Sequence, residues 1–358
     1  MERQRFLLPA DYYTNPQLIP LEQERIWRRS WLYLGSVQQV QTPGSVWATT
    51  CAGISILITR DAQGELHGFY NLCPHRAMEL CPEMGVFSMK QLICPYHAWV
   101  YDLAGQLVAA ARQKQFGADF ACQDYPLYPI RVAVWQDLLF VSFDVNVMPL
   151  SAYLAPIPQT LGQYAVPGFQ HLSQQKRSVA CNWKVYHDNT LCDYHVAIAH
   201  PKTLNRLQGA VRNYHHRFGE YVNALVTPVP DDWFSQHPAR PDLLPENQTH
   251  FYTFAVFPNL HLLALPNGTL ICLRIDPVTV DKCQVVTDVY GVPEWVGDLE
   301  AVHRELNAFM QEDVVLAESV QRGYRSGVYQ PGPVHRLEAR IFHHQNLILN
   351  SLKTPLTH

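Results

Sequence analysis

The chain has 358 residues, is 47% hydrophobic and 16% charged, and carries a net charge of −4 from 27 basic and 31 acidic side chains. That is enough apolar material for two domains, or for one large domain with an inserted module, and it argues against disorder. The near balance of charge argues against a nucleic-acid partner, which would ordinarily be met by a basic stripe.

The N-terminal stretch MERQRFLLPADYY has an apolar run that stops at Pro9. A secretory signal needs about 7–15 apolar residues, so the sequence predicts none, and no stretch approaches the ~18 apolar residues of a membrane span. A cytoplasmic protein is expected. Next, Leu21–Trp31 reads as helix, with Leu21, Ile26, Trp27 and Trp31 as its bulky apolar positions.

From Leu32 to Phe143 the pattern changes to short alternating runs between Gly, Pro and Asp turns. Val46–Thr50, Ile54–Thr59, Leu66–Asn71, Leu92–Cys94 and Leu138–Phe143 are examples, and this density of short strands predicts a small β-sandwich or barrel. Within it stand Cys73-Pro74-His75-Arg76 and, after 18 intervening residues from His75, Cys94-Pro95-Tyr96-His97. Zinc fingers usually pair two cysteines and then two histidines. One thiolate and one imidazole on each of two loops instead suit a binuclear centre, with sulfur on one iron and nitrogen on the other, as in a Rieske [2Fe–2S] cluster. A zinc clip is the competing reading. Cys81 fits neither spacing and is taken as a buried thiol.

Asn146–Pro167 holds four prolines and reads as a linker. Cys181–His200 follows as a helical candidate containing His187, Asp188, Asn189, Asp193, His195 and His200. Two histidines and a carboxylate make the facial triad of non-haem Fe(II) oxygenases. His195 and His200, however, would lie ~140° apart on a regular α-helix. A π-bulge, or a break before Pro201, would bring them together. His187 is expected to be packed rather than to bind metal.

Phe251–Pro258, Leu260–Pro266, Thr269–Ile275 and Gln284–Val292 read as consecutive antiparallel strands. A long amphipathic helix then runs from Asp298, its N-cap, to Arg322, where Gly323 should stop it. Leu299, Leu306, Asp313 and Val320 share its apolar stripe, and a carboxylate buried there is costly unless it meets a cation or a strong donor. Asp313 is therefore the candidate third iron ligand, with an arginine partner or a loop cap as the alternative.

The motifs CPHRA…CPYHAW at 73–99, NWKVYHDNTLCDYHVAIAHP at 182–201 and EDVVLAESVQRGYRSGVY at 312–329 resemble the terminal oxygenase (α) subunit of Rieske non-haem iron oxygenases, close to the choline monooxygenase-like branch and related to the aromatic-ring-hydroxylating dioxygenases. The resemblance implies an α+β chain, with a Rieske β-sandwich domain over 32–145. A helix-grip catalytic domain with a curved antiparallel sheet would be formed by 1–31 and 146–358. It implies that Cys73, His75, Cys94 and His97 bind the [2Fe–2S] cluster and that His195, His200 and Asp313 bind Fe(II). It also implies a homotrimer, with electrons supplied by a ferredoxin or flavin reductase and spent with O2 on a small-molecule substrate.

The sequence departs from the family pattern in a slightly longer spacer between the cluster loops and in Ala77, where glycine is common. It also has Cys192 at the position, three before the first iron histidine, of the acid that links the two metal sites. Asp193 is the favoured substitute, with Asp188, seven before His195, as the alternative and Asn189 as a further candidate of the same segment. Monooxygenation or N-dealkylation of an amine is weighed against dihydroxylation of an aromatic ring. An electron carrier without oxygenase chemistry would need only the first domain.

Overall fold

The structure, a computed structural model, describes residues 4–235 and 237–353. It divides into two compact units, residues 29–147, and residues up to Arg28 together with Met148 onward. Of the segments assigned above to the catalytic domain, residues 1–3, 236 and 354–358 lie outside the described residues.

The unit 29–147 is all antiparallel. Its larger sheet comprises β1 (Leu32–Ser36), β2 (Ser45–Cys51), β3 (Ile54–Arg60), β4 (Leu66–Tyr70), β5 (Gly85–Ser88), β9 (Pro129–Trp135) and β10 (Leu138–Ser142), in the order β1-β10-β9-β4-β3-β2-β5. A second sheet has three short strands, β6 (Leu92–Ile93), β7 (Val100–Tyr101) and β8 (Leu107–Ala109). The loop after β4 and the turn between β6 and β7 carry the two Cys/His motifs. Leu57, Phe69, Leu92, Trp99, Tyr101 and Leu107 close a core beneath them.

The other unit is built on a second seven-stranded antiparallel sheet, curled into a half-barrel. Its strands are β11 (Gln170–Val179), β12 (His215–Phe218), β13 (Val222–Pro228), β14 (His250–Val256), β15 (Leu260–Ala264), β16 (Leu270–Thr279) and β17 (Lys282–Gly291). From β12 to β17 the chain is a meander, and β11 pairs with β17 at the far edge. Helices α1 (Trp183–Thr190), α2 (Val196–Ala199), α3 (Leu299–Tyr324) and α4 (Ala339–Lys353) complete the part that positions the site. No described helix is long and apolar enough to cross a membrane.

Several expectations need correction. The helix expected over Leu21–Trp31 instead spans Leu18–Trp27, its second half (Gln23–Trp27) π-helical. That winding buries Ile26 and Trp27 while Glu22 faces inward, where it pairs with Lys184 at 2.5 Å and accepts from Trp183 Nε1 at 2.8 Å. The proline-rich 146–167 stretch, read as a linker, is ordered and packed. It forms short helices at Leu150–Tyr153 and Ile157–Leu161, and it buries Leu150, Tyr153, Leu154, Ile157, Leu161 and Tyr164.

The 181–200 segment is two helices separated by an irregular stretch. Asp298 does cap α3, accepting from the Glu300 N–H at 3.0 Å, but Gly323 lies inside the helix, which continues to Tyr324. Helix propensity at a single glycine costs only about 1 kcal/mol, too little to end a helix held by packing. The seven-residue repeat also drifts. Val320 is 45% exposed, while Gln321 is buried, accepting from the Asn182 N–H and donating to the Tyr13 carbonyl. A stripe of 3.6-residue period rotates away from a strict heptad over three heptads.

Candidate metal centres

The two Cys/His loops of the first unit fold alike. Behind Cys73, the Ala77 N–H donates to the Cys73 carbonyl at 2.9 Å. Behind Cys94, the Ala98 N–H donates to the Cys94 carbonyl at 3.0 Å. Both alanines are left-handed, at φ 56° and 53°, which is why this position favours glycine and why alanine there carries strain. The repeated turn sets each cysteine inward and each histidine outward. Cys73 and Cys94 are buried, and the His75 and His97 rings lie 4.6 Å apart toward the surface.

Aromatic walls hold those rings, with Trp99 stacked on His75 at 4.7 Å and Tyr96 on His97 at 3.8 Å. The Nδ1 atoms of His75 and His97 are both buried without a hydrogen-bond partner. Buried orphaned nitrogens call for an explanation. Two inward thiols and two unpartnered imidazole nitrogens are the donor set of a Rieske cluster, so these residues fit that group. Burial raises the Cys73 thiol and lowers His75, the latter with help from His97 and Arg76. The Tyr101 hydroxyl lies 3.1 Å from Cys73 Sγ. Cys81 is buried, and its backbone carbonyl accepts from Asn71.

In the second unit, His195, His200 and Asp313 each offer one ligand atom, all within 4.8 Å of one another. The backbone solves the five-residue spacing by a break rather than a bulge. α2 is a single turn flanked by the two histidines, and His200, at φ −117° and ψ 42° just before Pro201, has left the helix. His195 Nε2 and His200 Nε2 are 3.0 Å apart, and Asp313 Oδ1 lies 3.4 Å from the first and 3.0 Å from the second. Ligand atoms ~2.1 Å from one ion and at right angles lie about 3.0 Å apart. The triangle therefore fits one metal ion bound on one face.

Neighbours hold the triangle in place. His200 Nδ1 contacts Glu312 Oε2 at 2.7 Å, and the Thr203 hydroxyl donates to the same oxygen at 2.6 Å. Asn189 Nδ2 donates to Asp313 Oδ1 at 2.6 Å. Burial would raise the Asp313 carboxyl, but His195 and His200 outweigh it and hold it low. Burial would likewise lower His200, but Asp313 and Glu312 hold it up. Sequence reasoning missed Glu312; its signal was its place beside an inward-facing acid, one step round the helix.

The remaining candidates are dispersed. Asp193 is buried, with Oδ2 2.9 Å from His216 Nε2 and Oδ1 3.3 Å from Arg340 Nη1, and it lines the compartment beside the triad. Asp188 does not line it. Its Oδ2 accepts from Tyr13 at 2.6 Å and from Gln345 at 3.1 Å, and burial pushes its carboxyl up to about 7. Cys192 is half-buried with its sulfur 3.9 Å from Glu338 Oε1. His187 is fully buried against His344 at 4.1 Å, and burial pushes it down to about 4.

Two cavities neighbour each other here, and of the two the smaller is the one with triad residues in its lining. The inner one, about 30 Å³, is lined by His195 and Asp313 on one side and by Thr253 and His261 on the sheet. The outer one, about 420 Å³, runs between β15, β16 and α3 and includes Trp233. Leu204, Leu263 and Phe309 belong to both.

Two protein families match the chain: the Rieske [2Fe-2S] domain over residues 30–130, and the ring hydroxylating alpha subunit (catalytic domain) over residues 168–353. Choline monooxygenase of Spinacia oleracea, a chloroplastic protein, is 28% identical over 96% of this chain and 78% of its own length. The glycine betaine monooxygenase oxygenase subunit of Chromohalobacter salexigens is 27% identical over 92% of this chain and 82% of its own length. Among solved structures, the quaternary ammonium Rieske monooxygenase CntA in complex with L-carnitine superposes with a TM-score of 0.80, at 24% identity over 98% of this chain and 96% of that one. Naphthalene 1,2-dioxygenase from Rhodococcus sp. gives 0.77, at 21% identity over 97% and 95%. The chain belongs to the ring-hydroxylating oxygenase α-subunit family, as an oxidoreductase with a Rieske cluster and a mononuclear iron site.

Proposed function

We propose that this oxygenase α subunit acts on a small organic amine by monooxygenation or N-dealkylation, with Cys73, His75, Cys94 and His97 holding the cluster and His195, His200 and Asp313 the Fe(II). The observation that carries the reading is the convergence of three ligand atoms beside a small cavity that shares Leu204, Leu263 and Phe309 with a substrate-sized one. When bound, the metal groups supply what side chains cannot, which is single-electron storage and the activation of O2.

The protein's own residues then have defined tasks. Glu312 fixes the His200 ring through Nδ1, leaving Nε2 to face the ion, and Asn189 orients the Asp313 carboxylate. Such outer hydrogen bonds set ligand direction and basicity. Leu204, Leu263 and Phe309, shared by the two cavities, give the approach to the triad an apolar lining. Asp193 is proposed as the acid that links the two metal sites.

The amine reading is supported by the names of the monooxygenases to which the chain is similar and by the Trp233 and Phe309 rings of the outer cavity, which suit a cationic nitrogen. The rim carries both signs, with Lys202, Arg206 and Arg304 beside Asp232 and Glu305, so the rings rather than net charge favour an amine. A ferredoxin or flavin reductase is the proposed electron donor. A homotrimer is the proposed assembly, supported by the inter-subunit electron transfer named for a CntA structure of the same fold. The nine free cysteines support a reducing compartment, proposed as the cytoplasm.

The test is substrate-dependent O2 uptake by protein carrying cluster and iron, with a surrogate reductase, across choline, glycine betaine, tertiary alkylamines and substituted benzenes. Uptake with an amine, matched by dealkylated or hydroxylated product, is expected. Product formation from benzenes alone would replace the amine reading with ring hydroxylation.

A further inference from the structure

The inner compartment has a polar floor that the metal triad does not use. In the sheet register Thr253 stands opposite Leu263 and His261 opposite Leu273. Cross-strand partners share a face, as do alternate residues along one strand. All four side chains therefore project from the same face of the sheet, and all four line the compartment across from His195 and Asp313.

Thr253 is 2% exposed and His261 5% exposed, yet Thr253 Oγ1 and His261 Nδ1 have no hydrogen-bond partner. Other polar groups of the same lining are engaged. Asn189 donates to Asp313, Asp193 pairs with Arg340 and His216, and the Thr190 hydroxyl donates to the His187 carbonyl. Burying a polar atom without a partner is costly. Two residues with such atoms line one wall of one cavity, and a group bound there could supply the missing bonds.

We propose that His261 and Thr253 are substrate-positioning residues that receive an uncharged oxygen function, a hydroxyl or a carbonyl, at the inner end of the path. The inference rests on the oxygenase reading above, since it takes this compartment as the substrate's. Burial first, then Arg340 and His187, hold the His261 imidazole in its neutral form, so it offers one donor and one acceptor, as does the threonine hydroxyl. An inner space of about 30 Å³ admits a group about the size of one water molecule, and the body of the substrate occupies the outer 420 Å³. The carbon next to that oxygen is thereby presented to the triad.

Calorimetric titration of the full chain, loaded with cluster and iron under anaerobic conditions, tests this with two probe pairs that differ by one hydroxyl. The pairs are choline against propyltrimethylammonium, and benzyl alcohol against toluene. Wild-type protein is expected to prefer the hydroxyl member of at least one pair by roughly fivefold or more. His261→Leu should bring that ratio to near unity, His261→Asn should keep most of it, and Thr253→Val should reduce it. Because the native groups are unsatisfied, the thermal midpoint of His261→Leu should equal or exceed that of wild type, whereas a purely structural histidine would lower it.

A preference confined to the benzyl pair upholds the positioning role and overturns the amine substrate. Tight binding of both ammonium ions without preference, and none in the aromatic pair, overturns the positioning role and leaves the amine. A preference that survives in both His261→Leu and Thr253→Val overturns the role, as does failure of wild-type protein to bind either pair.

Discussion

His200 and Glu312 meet at 2.7 Å, Nδ1 to Oε2, on the side of the imidazole away from Asp313. The contact selects the tautomer in which Nδ1 carries the proton and Nε2 presents its lone pair toward the ligand triangle. Glu312→Gln keeps the shape and weakens that selection. Outer-shell changes of this kind cost about 10–100-fold in metal affinity. Fe(II) titration of the variant should show a loss in that range, with the visible absorbance of the cluster unchanged. Wild-type affinity in the variant would remove Glu312 from this role.

Asp193→Asn tests two roles at once. The carboxylate is the counter-ion of the buried Arg340, which also bonds Asn223 Oδ1 and the Thr253 carbonyl. Leaving that guanidinium unpaired is expected to cost about 3–5 kcal/mol, read as a lowered denaturation midpoint. As the proposed link between the metal sites, Asp193 should also be required for turnover while both sites stay filled. Full turnover per iron-loaded chain would exclude it from that link.

Tyr101→Phe removes the hydroxyl that lies 3.1 Å from Cys73 Sγ. A donor to a cluster sulfur favours the reduced, more negative state and so raises the potential. One bond of about 1 kcal/mol corresponds to roughly 40 mV for one electron. Protein-film voltammetry should find the variant's potential lower by about 20–60 mV. An unchanged or higher value would show that the hydroxyl does not donate to the sulfur.

Asp188 gives a pH dependence with a definite sign. Its folded-state pKa is about 7, against an ordinary value of 3.8, because it is buried, the hydrogen bonds from Tyr13 and Gln345 offsetting only part of that cost. The folded chain thus holds a proton that the unfolded chain has already lost. The stability tied to this proton is complete below about pH 4 and is lost as pH rises through about 7. Three units correspond to on the order of 4 kcal/mol. Asp188→Asn should therefore gain stability relative to wild type between pH 5 and pH 8 in parallel urea melts. A constant difference across that range would contradict the assignment.

Part of this was legible in the residues. The turn-bounded runs of the first unit located β2, β3, β4, β6 and β10 to within a residue or two, because a half-buried strand writes its period of two into the sequence. The meander β14–β17 was visible for a similar reason. β11 and β13 were missed. In β11 seven successive residues, Ser173–Val179, begin with six polar or charged side chains, so no alternating apolar run announces the strand, although it pairs along its length with β17. The left-handed Ala77 and Ala98 give no compositional warning, since the turn tolerates alanine at a local cost.

The sequence by itself determined which atoms are available to hold metal, since a thiol, an imidazole or a carboxylate has its donor chemistry wherever the chain takes it. Short spacings carried more, because two or three residues cannot separate Cys73 from His75 or Cys94 from His97. Only the tertiary structure decided how Asp313, 113 positions after His200, arrives 3.0 Å from it, and that Thr253 and His261 face the same compartment. Convergence of this kind depends on how α3 packs on a curled sheet and on where α2 breaks. Those are sums of many weak contacts, and no single stretch of sequence contains them.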